Sequence, residues 1–245
     1  MRKPLLLALA LSALACQPAS SQVFRVLVFS KTAGFRHDSI PRGVELIRSL
    51  GTSHGFAVDT TEDSSRFTRR ALARYRAVVF LNTTGDVLNR RQQGAFEAYM
   101  RRGGGWVGVH AAADTEYEWP FYGQLLGGAW FLGHPAIQAA TLQVDEAAHP
   151  STRHYPASFS ATDEWYNFRS NPRCCARILL TIDESSYDPG AGAMGDHPVA
   201  WYRFAGAGRA WYTNLGHRVE TYDDPSFASH LLGGIRWAAR GPAQP

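Results

Sequence analysis

Cysteine is almost missing from this chain: 245 residues contain three. Cys174 and Cys175 are neighbours, and adjacent cysteines rarely pair, because the ring they would close is strained. A disulfide-built scaffold is therefore excluded. No cysteine sits in a glycine-flanked strand-to-helix turn, which argues against a thiol nucleophile. Methionine, also three residues, is too scarce to carry a signal. Long hydrophobic runs are missing too. The apolar run at residues 5–14 falls well short of the ~20 residues a membrane-spanning helix needs. There is no internal repeat, no low-complexity segment and no linker, so one domain is expected. A phosphate-binding G-x-x-x-x-G-K-[ST] loop is absent, which excludes that kind of nucleotide site. The arginines are spread along the chain rather than run together. The net charge of +4 is therefore not read as a nucleic-acid face.

What is present starts at the amino terminus. Arg2 and Lys3 form a positive n-region, residues 5–14 an apolar h-region, and Ala13-Leu14-Ala15 a small-residue cleavage site. Residues 1–15 are read as a signal peptide, and residues 16–22 (CQPASSQ) as a short tether. Cys16 would follow the cut directly, as in lipoproteins, and is a candidate lipid anchor. Ala13 stands where such sites usually carry leucine. The expected location is outside the cytoplasm: periplasm, cell surface or secreted. Aromatics make up 12% of the chain and many fall in its second half beside Gly, Asp and His. That pattern suits sugar faces stacking on rings, although any single ring is more readily a core residue.

Residues 24–30 (FRVLVFS), 56–60, 77–82 (AVVFLN) and 106–110 (WVGVH) read as buried strands. Between them lie helical stretches at 41–54, 67–75 and 89–102, with Thr68 and Asn89 as caps and Gly103 as a stop. A further helix is expected near 121–126. Alternation at this spacing implies a doubly wound α/β fold, a parallel sheet with helices on both faces. After Pro135 the texture changes. Residues 139–144, 158–168, 178–182, 199–204 and 209–215 are strand-like, and 226–240 closes with a helix. The C-terminal half thus adds strands to the parallel sheet. Chemistry in such sheets collects beyond the carboxyl ends of the strands. His37, Asn82 to Thr84, His110 and His217 each follow a strand and should share one rim.

Six blocks occur in order: KTAGFRHD (31–38), GGGWVGVHAAAD (103–114), LGGAWFLGH (126–134), DEWYNF (163–168), HPVAW (197–201) and GRAWYTNLGH (208–217). Together they resemble the ThuA-like (trehalose-utilisation) family, over roughly residues 23–241. The resemblance implies a flavodoxin-like, class I glutamine amidotransferase-like fold. Amidotransferase relatives carry Gly-x-Cys-x-Gly after the fourth strand. Here the segment is Gly108-Val109-His110-Ala111-Ala112, so a histidine stands in the place of the nucleophile. Glutamine hydrolysis is therefore not expected. His217 occupies a place similar to that of the relatives' catalytic histidine.

Imidazoles facing one pocket suit a divalent transition metal, zinc or similar. His110, His217 and His134 are the expected ligands, with Asp163 and Glu164 as alternatives for the third place. His37 and Glu164 are the candidate proton carriers. Asp163 is a second candidate carboxylate. Asp114 either orients His110 or caps the next helix. His149 and His154 are set aside. The resemblance implies sugar catabolism in the setting of 3-keto sugars. An enzyme for isomerisation, elimination or hydrolysis of 3-keto-glycosides is expected, with a small carbohydrate as its substrate. The alternative is a non-catalytic cell-surface carbohydrate-binding module.

Overall fold

A computed structural model describes residues 24–239. The leader, the tether and Cys16 lie outside the described residues. The first half runs β1 (Arg25–Phe29), α1 (Ile40–His54), β2 (Ala57–Thr61), α2 (Arg69–Leu72), β3 (Ala77–Leu81), α3 (Arg90–Arg101), β4 (Gly105–Val109) and α4 (Pro120–Leu125). The local chemistry sets the boundaries. Pro41 opens α1, and Gly55 closes it in the left-handed region at φ 75°. The Thr68 hydroxyl accepts from Ala71 N at the start of α2. Asn89 and Gln92 close a reciprocal capping box on α3.

The second half adds β5 (Phe131–Gly133), β6 (Gln138–Val144), β7 (Ser158–Asp163), β8 (Asn167–Phe168), β9 (Arg177–Ile182), β10 (His197–Ala205), β11 (Gly208–Thr213) and α5 (Pro225–Ala238). Nine strands form one sheet in the order β2-β1-β3-β4-β11-β10-β9-β6-β7. The first five are mutually parallel, and the remaining strands join antiparallel. The expected doubly wound sheet with added C-terminal strands is what the chain forms. β11, late in sequence, returns to pair parallel with β4. That return brings His217 to the same rim as His110.

Successive strand residues feed opposite layers, as the pleat requires. Val26 and Val28 pack with Ile47, Leu231 and Ile235 beneath α1 and α5. Leu27 and Phe29 pack with Phe80, Phe96 and Tyr122 beneath α2, α3 and α4. Burial on both faces explains why the parallel strands read as continuous apolar runs. Among the described residues no helix is long and apolar enough to cross a membrane.

Three expectations need correction. Residues 158–168 are not one strand. The run breaks after Asp163, whose carboxylate accepts from Glu164 N, and β8 pairs instead with β5 in a separate ribbon. Cys174 and Cys175 are joined as a disulfide across adjacent residues, on an exposed turn. The arginines are also not scattered in space. α2 and α3 pack together on one face of the sheet and bring their arginines onto a common surface.

Candidate functional site

Four side chains converge beyond the carboxyl ends of the parallel strands. His37 comes from the loop after β1, His110 from the end of β4, His217 from the loop after β11, and Glu164 from the break after β7. One donor atom of each lies within 4.8 Å of every other. His110 is fully buried and leaves β4 at φ 47°, the left-handed region. A β-carbon is strained there, and residues held in such conformations cluster at functional sites. The turn aims the imidazole across the strand ends.

The hydrogen bonds decide the tautomer of His110. Its Nδ1 lies 2.7 Å from the backbone carbonyl of Asn214, and a carbonyl can only accept. Nδ1 therefore carries the proton, and in the neutral ring Nε2 presents a lone pair. That lone pair faces Glu164 Oε2 at 3.4 Å and His217 Nδ1 at 3.3 Å. His217 Nδ1 lies 3.2 Å from the same carboxylate oxygen. Acceptor thus faces acceptor unless a proton or a cation sits between them. Ligands about 2.0–2.1 Å from a tetrahedral zinc-type ion stand roughly 3.3 Å apart. The three atoms already have that spacing. His37 brings a further nitrogen, and its buried Nδ1 has no partner among the described residues. The donor set and the orphaned nitrogen both fit a divalent transition metal.

Electrostatics separates the members. Burial, followed by the neighbouring His110 and His217, pushes His37 down from 6.5 to about 3, so it is uncharged at neutral pH. Burial alone would raise the Glu164 carboxyl. The imidazoles packed against it overcome this and hold it far below the ordinary carboxylate range, with His217 Nδ1, 3.2 Å from Oε2, as the donor. Burial opposes charge on His217, but the Glu164 hydrogen bond and charge outweigh it and raise its pKa.

The surrounding residues hold these loops. Asp163 is fully buried. Its Oδ1 accepts from Glu164 N at 2.8 Å and His217 N at 3.1 Å. Its Oδ2 accepts from Gly216 N and the Thr221 hydroxyl, each at 2.9 Å. Asp163, a candidate base from sequence, is committed to four donors and clamps two of the converging loops. The Gly216 carbonyl in turn accepts from Ser39, Asn82 and Tyr222. Gly216 itself sits at φ 121°, and an added Cβ would lie 2.8 Å from the Tyr222 hydroxyl, so only glycine fits. The Asn214 side chain accepts from Tyr166 N and donates to the Glu164 carbonyl. Asp114 does not hold the His110 ring. Its carboxylate accepts from the Tyr117 hydroxyl at 2.5 Å, and burial raises its pKa.

His134, expected as the third imidazole ligand, stands outside the group of four. Its Nδ1–H is shared between Pro135 O at 2.9 Å and Glu164 Oε1 at 3.1 Å, and its side chain is 41% exposed. Glu164 takes the inner position. The structure places His37 inside the cluster with His110 and His217. Tyr166 lines one wall, its ring centroid 4.3 Å from that of His110 and 4.3 Å from that of Phe131. Phe35, largely exposed, packs edge-on against His37 at 4.9 Å. Sequence inspection passed over Asn214, although a polar residue at the carboxyl end of an apolar strand was a usable signal.

The family model for ThuA, described as trehalose utilisation, matches residues 25–238. A ThuA-like protein of Bacteroides uniformis is 30% identical at TM-score 0.78, over 91% of this chain and 94% of that one. A second, from Parabacteroides merdae, is 22% identical at TM-score 0.74, over 91% and 93%. The glutaminase domain of Trypanosoma brucei CTPS, with bound acivicin, shares the fold at 11% identity and TM-score 0.53, over 89% and 94%. No curated protein matches the chain. With the family model spanning nearly all of the described residues on a glutamine amidotransferase-like fold, the chain belongs to the ThuA family, the family of trehalose utilisation.

Proposed function

We propose that this protein is an exported enzyme acting on small sugars that carry a carbonyl group, with 3-keto-glycosides as the substrate class. The observation that carries this is the convergence of His37, His110, His217 and Glu164 within 4.8 Å, with the His110 lone pair turned inward. Membership of the trehalose-utilisation family supports a sugar-related ligand. Export rests on the leader-like residues 1–15.

His37, His110, His217 and Glu164 would hold a divalent ion, whose chemistry when bound is to draw electron density from a carbonyl oxygen. The chain's own groups do the rest. The Asn214 carbonyl keeps the proton on the outer nitrogen of His110. Asp163 fixes His217 and Glu164 against each other. Tyr166 and Phe131 close an apolar wall that keeps water from one side. A ketone makes the proton on the adjacent carbon acidic. The rim groups placed to take that proton are His37, uncharged at neutral pH and with an unpartnered Nδ1 among the described residues, and Glu164 through Oε1, the oxygen turned toward His134. Loss of the proton opens isomerisation or elimination of the glycosidic substituent. Glutamine hydrolysis is disfavoured, because His110 stands where that chemistry places a thiol.

The test is incubation with 3-keto-glycosides, with and without chelator, followed by NMR of the products. Chelator-sensitive conversion is expected. Binding of sugar without turnover, by protein that retains no metal, would overturn the enzyme reading in favour of a carbohydrate-binding module.

A further inference from the structure

Charge is very unevenly distributed in this molecule. Residues 66–102 contain nine arginines against two carboxylates, Asp86 and Glu97, a net of +7 where the whole chain carries +4. All nine arginines are exposed. Arg101 is the one of the nine that makes an ion pair with a carboxylate among the described residues, Glu97 at 3.1 Å. The fold concentrates them further, because α2 and α3 pack on each other on one face of the sheet. Two hollows open there. One, of about 600 Å³, lies between the two helices beside Arg69, Arg90 and Arg91. The other, of about 710 Å³, lies at the amino ends of the strands and is lined by Arg25, Arg74, Arg76 and Arg102. Of these last four, Arg25 is paired with Asp59.

A surface this strongly of one sign attracts a polyanion and destabilises the free protein through self-repulsion. Its position indicates which polyanion. Phe24 and Arg25, the first described residues, line the second hollow, so the described fold begins here. Gly103 and Gly104, which precede β4, line it too. It therefore lies at the end of the sheet opposite the histidine cluster. We propose that the amino-end part of this surface, the hollow carrying Arg74, Arg76 and Arg102, docks on an anionic lipid surface. The docked protein turns its amino end to the membrane and presents the histidine rim away from it. The choice of lipid over other polyanions rests on residues 1–22 being a leader and tether. It is independent of the reaction catalysed at the rim.

A single acyl chain gives only marginal membrane attachment, and stable anchoring takes a second signal such as a basic patch. Each arginine near an anionic bilayer adds to binding, and the gain is screened within a Debye length. The test uses the mature chain, from residue 16 onward, with Cys16→Ala, which has no acylation point, and sedimentation with vesicles. Vesicles of phosphatidylcholine with one-third phosphatidylglycerol should bind the protein at low salt, and pure phosphatidylcholine should not. Binding should be lost in about 0.5 M salt, where the Debye length falls below ~5 Å. Combining Arg74→Glu, Arg76→Glu and Arg102→Glu should weaken binding by about 100-fold or more. Reversing Arg153 and Arg177, in the antiparallel half, should change it less than threefold. The salt and lipid comparisons on the unmodified face stand even if the triple variant folds poorly. Equal binding to both vesicle types, or insensitivity to salt, overturns the proposal. Tighter binding to double-stranded DNA than to the anionic vesicles in the same buffer overturns the lipid assignment.

Discussion

Two contrasting groups of histidines share this fold. His230 lies inside, with Nδ1 2.8 Å from Ser151 O and Nε2 3.2 Å from the Thr213 hydroxyl. His197 is placed the same way. Its Nδ1 meets Glu184 and Tyr187, and its Nε2 lies 2.8 Å from Tyr166 O. Every ring nitrogen in that set has a protein partner. At the rim, His110 Nε2, His217 Nδ1 and a carboxylate oxygen face one another, and His37 Nδ1 has no partner among the described residues. Burial does not separate the sets, since His110 and His230 are both fully buried. A depressed pKa does not separate them either. His37 and His230 are both pushed to about 3, chiefly by burial. What differs is whether the hydrogen-bond partners close within the protein. A histidine whose two nitrogens are satisfied is a strut. Histidines whose inner nitrogens converge on one another and on a carboxylate form a group that could hold a metal ion.

That comparison breaks most sharply at His110. His110→Ala should lose bound metal and lower turnover by roughly 1,000-fold or more, while the melting temperature stays near that of the parent. Elemental analysis, kinetics and thermal melts on one preparation read all three. Retained metal and activity would place His110 among the struts. Asp163→Asn should be the next largest effect. It puts an amide donor against donors in a fully buried site, at a cost of about 3 kcal/mol, seen as a melting temperature lower by roughly 6–12 °C. Turnover should fall with it, because the Glu164 and His217 loops lose their common clamp. An unchanged melt would show that the clamp is not needed.

His37→Ala should lower turnover by about 100-fold and weaken metal affinity, since its nitrogen lies in the shared volume. Full activity with unchanged metal binding in the folded variant would remove His37 from the chemistry.

The smallest effect belongs to the interior set and concerns pH. His230 is depressed to about 3 in the fold and returns toward 6.5 on unfolding. Between those values the unfolded chain binds the proton and the native protein does not. Stability from this residue is therefore complete above about pH 6.5 and declines as pH falls toward 3, by up to ~1.4 kcal/mol per pH unit. His230→Gln lacks this titration. Urea unfolding at pH 7, 5.5 and 4.5 should show the variant losing less stability on acidification than the parent. Parallel slopes would mean that His230 is not held neutral.

Much of this was legible beforehand because it is local. Asn89 and Thr68 cap the helices they were expected to cap, since a cap depends on donors two or three residues away. The strand runs were visible because both faces of a parallel strand are covered. His110 and His217 were identifiable as rim residues from their place after strands, given the rule that strand ends share an edge. Glu164 and His134 were both named, but their order from the centre was not readable. It depends on how far the break after β7 reaches under β5, and two segments some thirty residues apart set that. The arginine face was missed for a related reason. The excess of nine arginines over two carboxylates in residues 66–102 was countable in the sequence, but β3 divides it into two groups, and only the packing of α2 on α3 shows that the groups share one surface.

By itself, then, the sequence determined the alternation of strand and helix, the caps, the family, and the absence of a thiol at the turn after β4. Each of these is written in residue type and spacing over a few positions. The tertiary structure alone decided that the Asn214 carbonyl meets His110 Nδ1, that Asp163 accepts from four donors across two loops, and that Glu164 stands inside His134. A hydrogen bond between residues 104 apart exists only once β11 has come back to lie beside β4. The chemistry of a ring nitrogen is set by the atom it meets there, not by its neighbours along the chain.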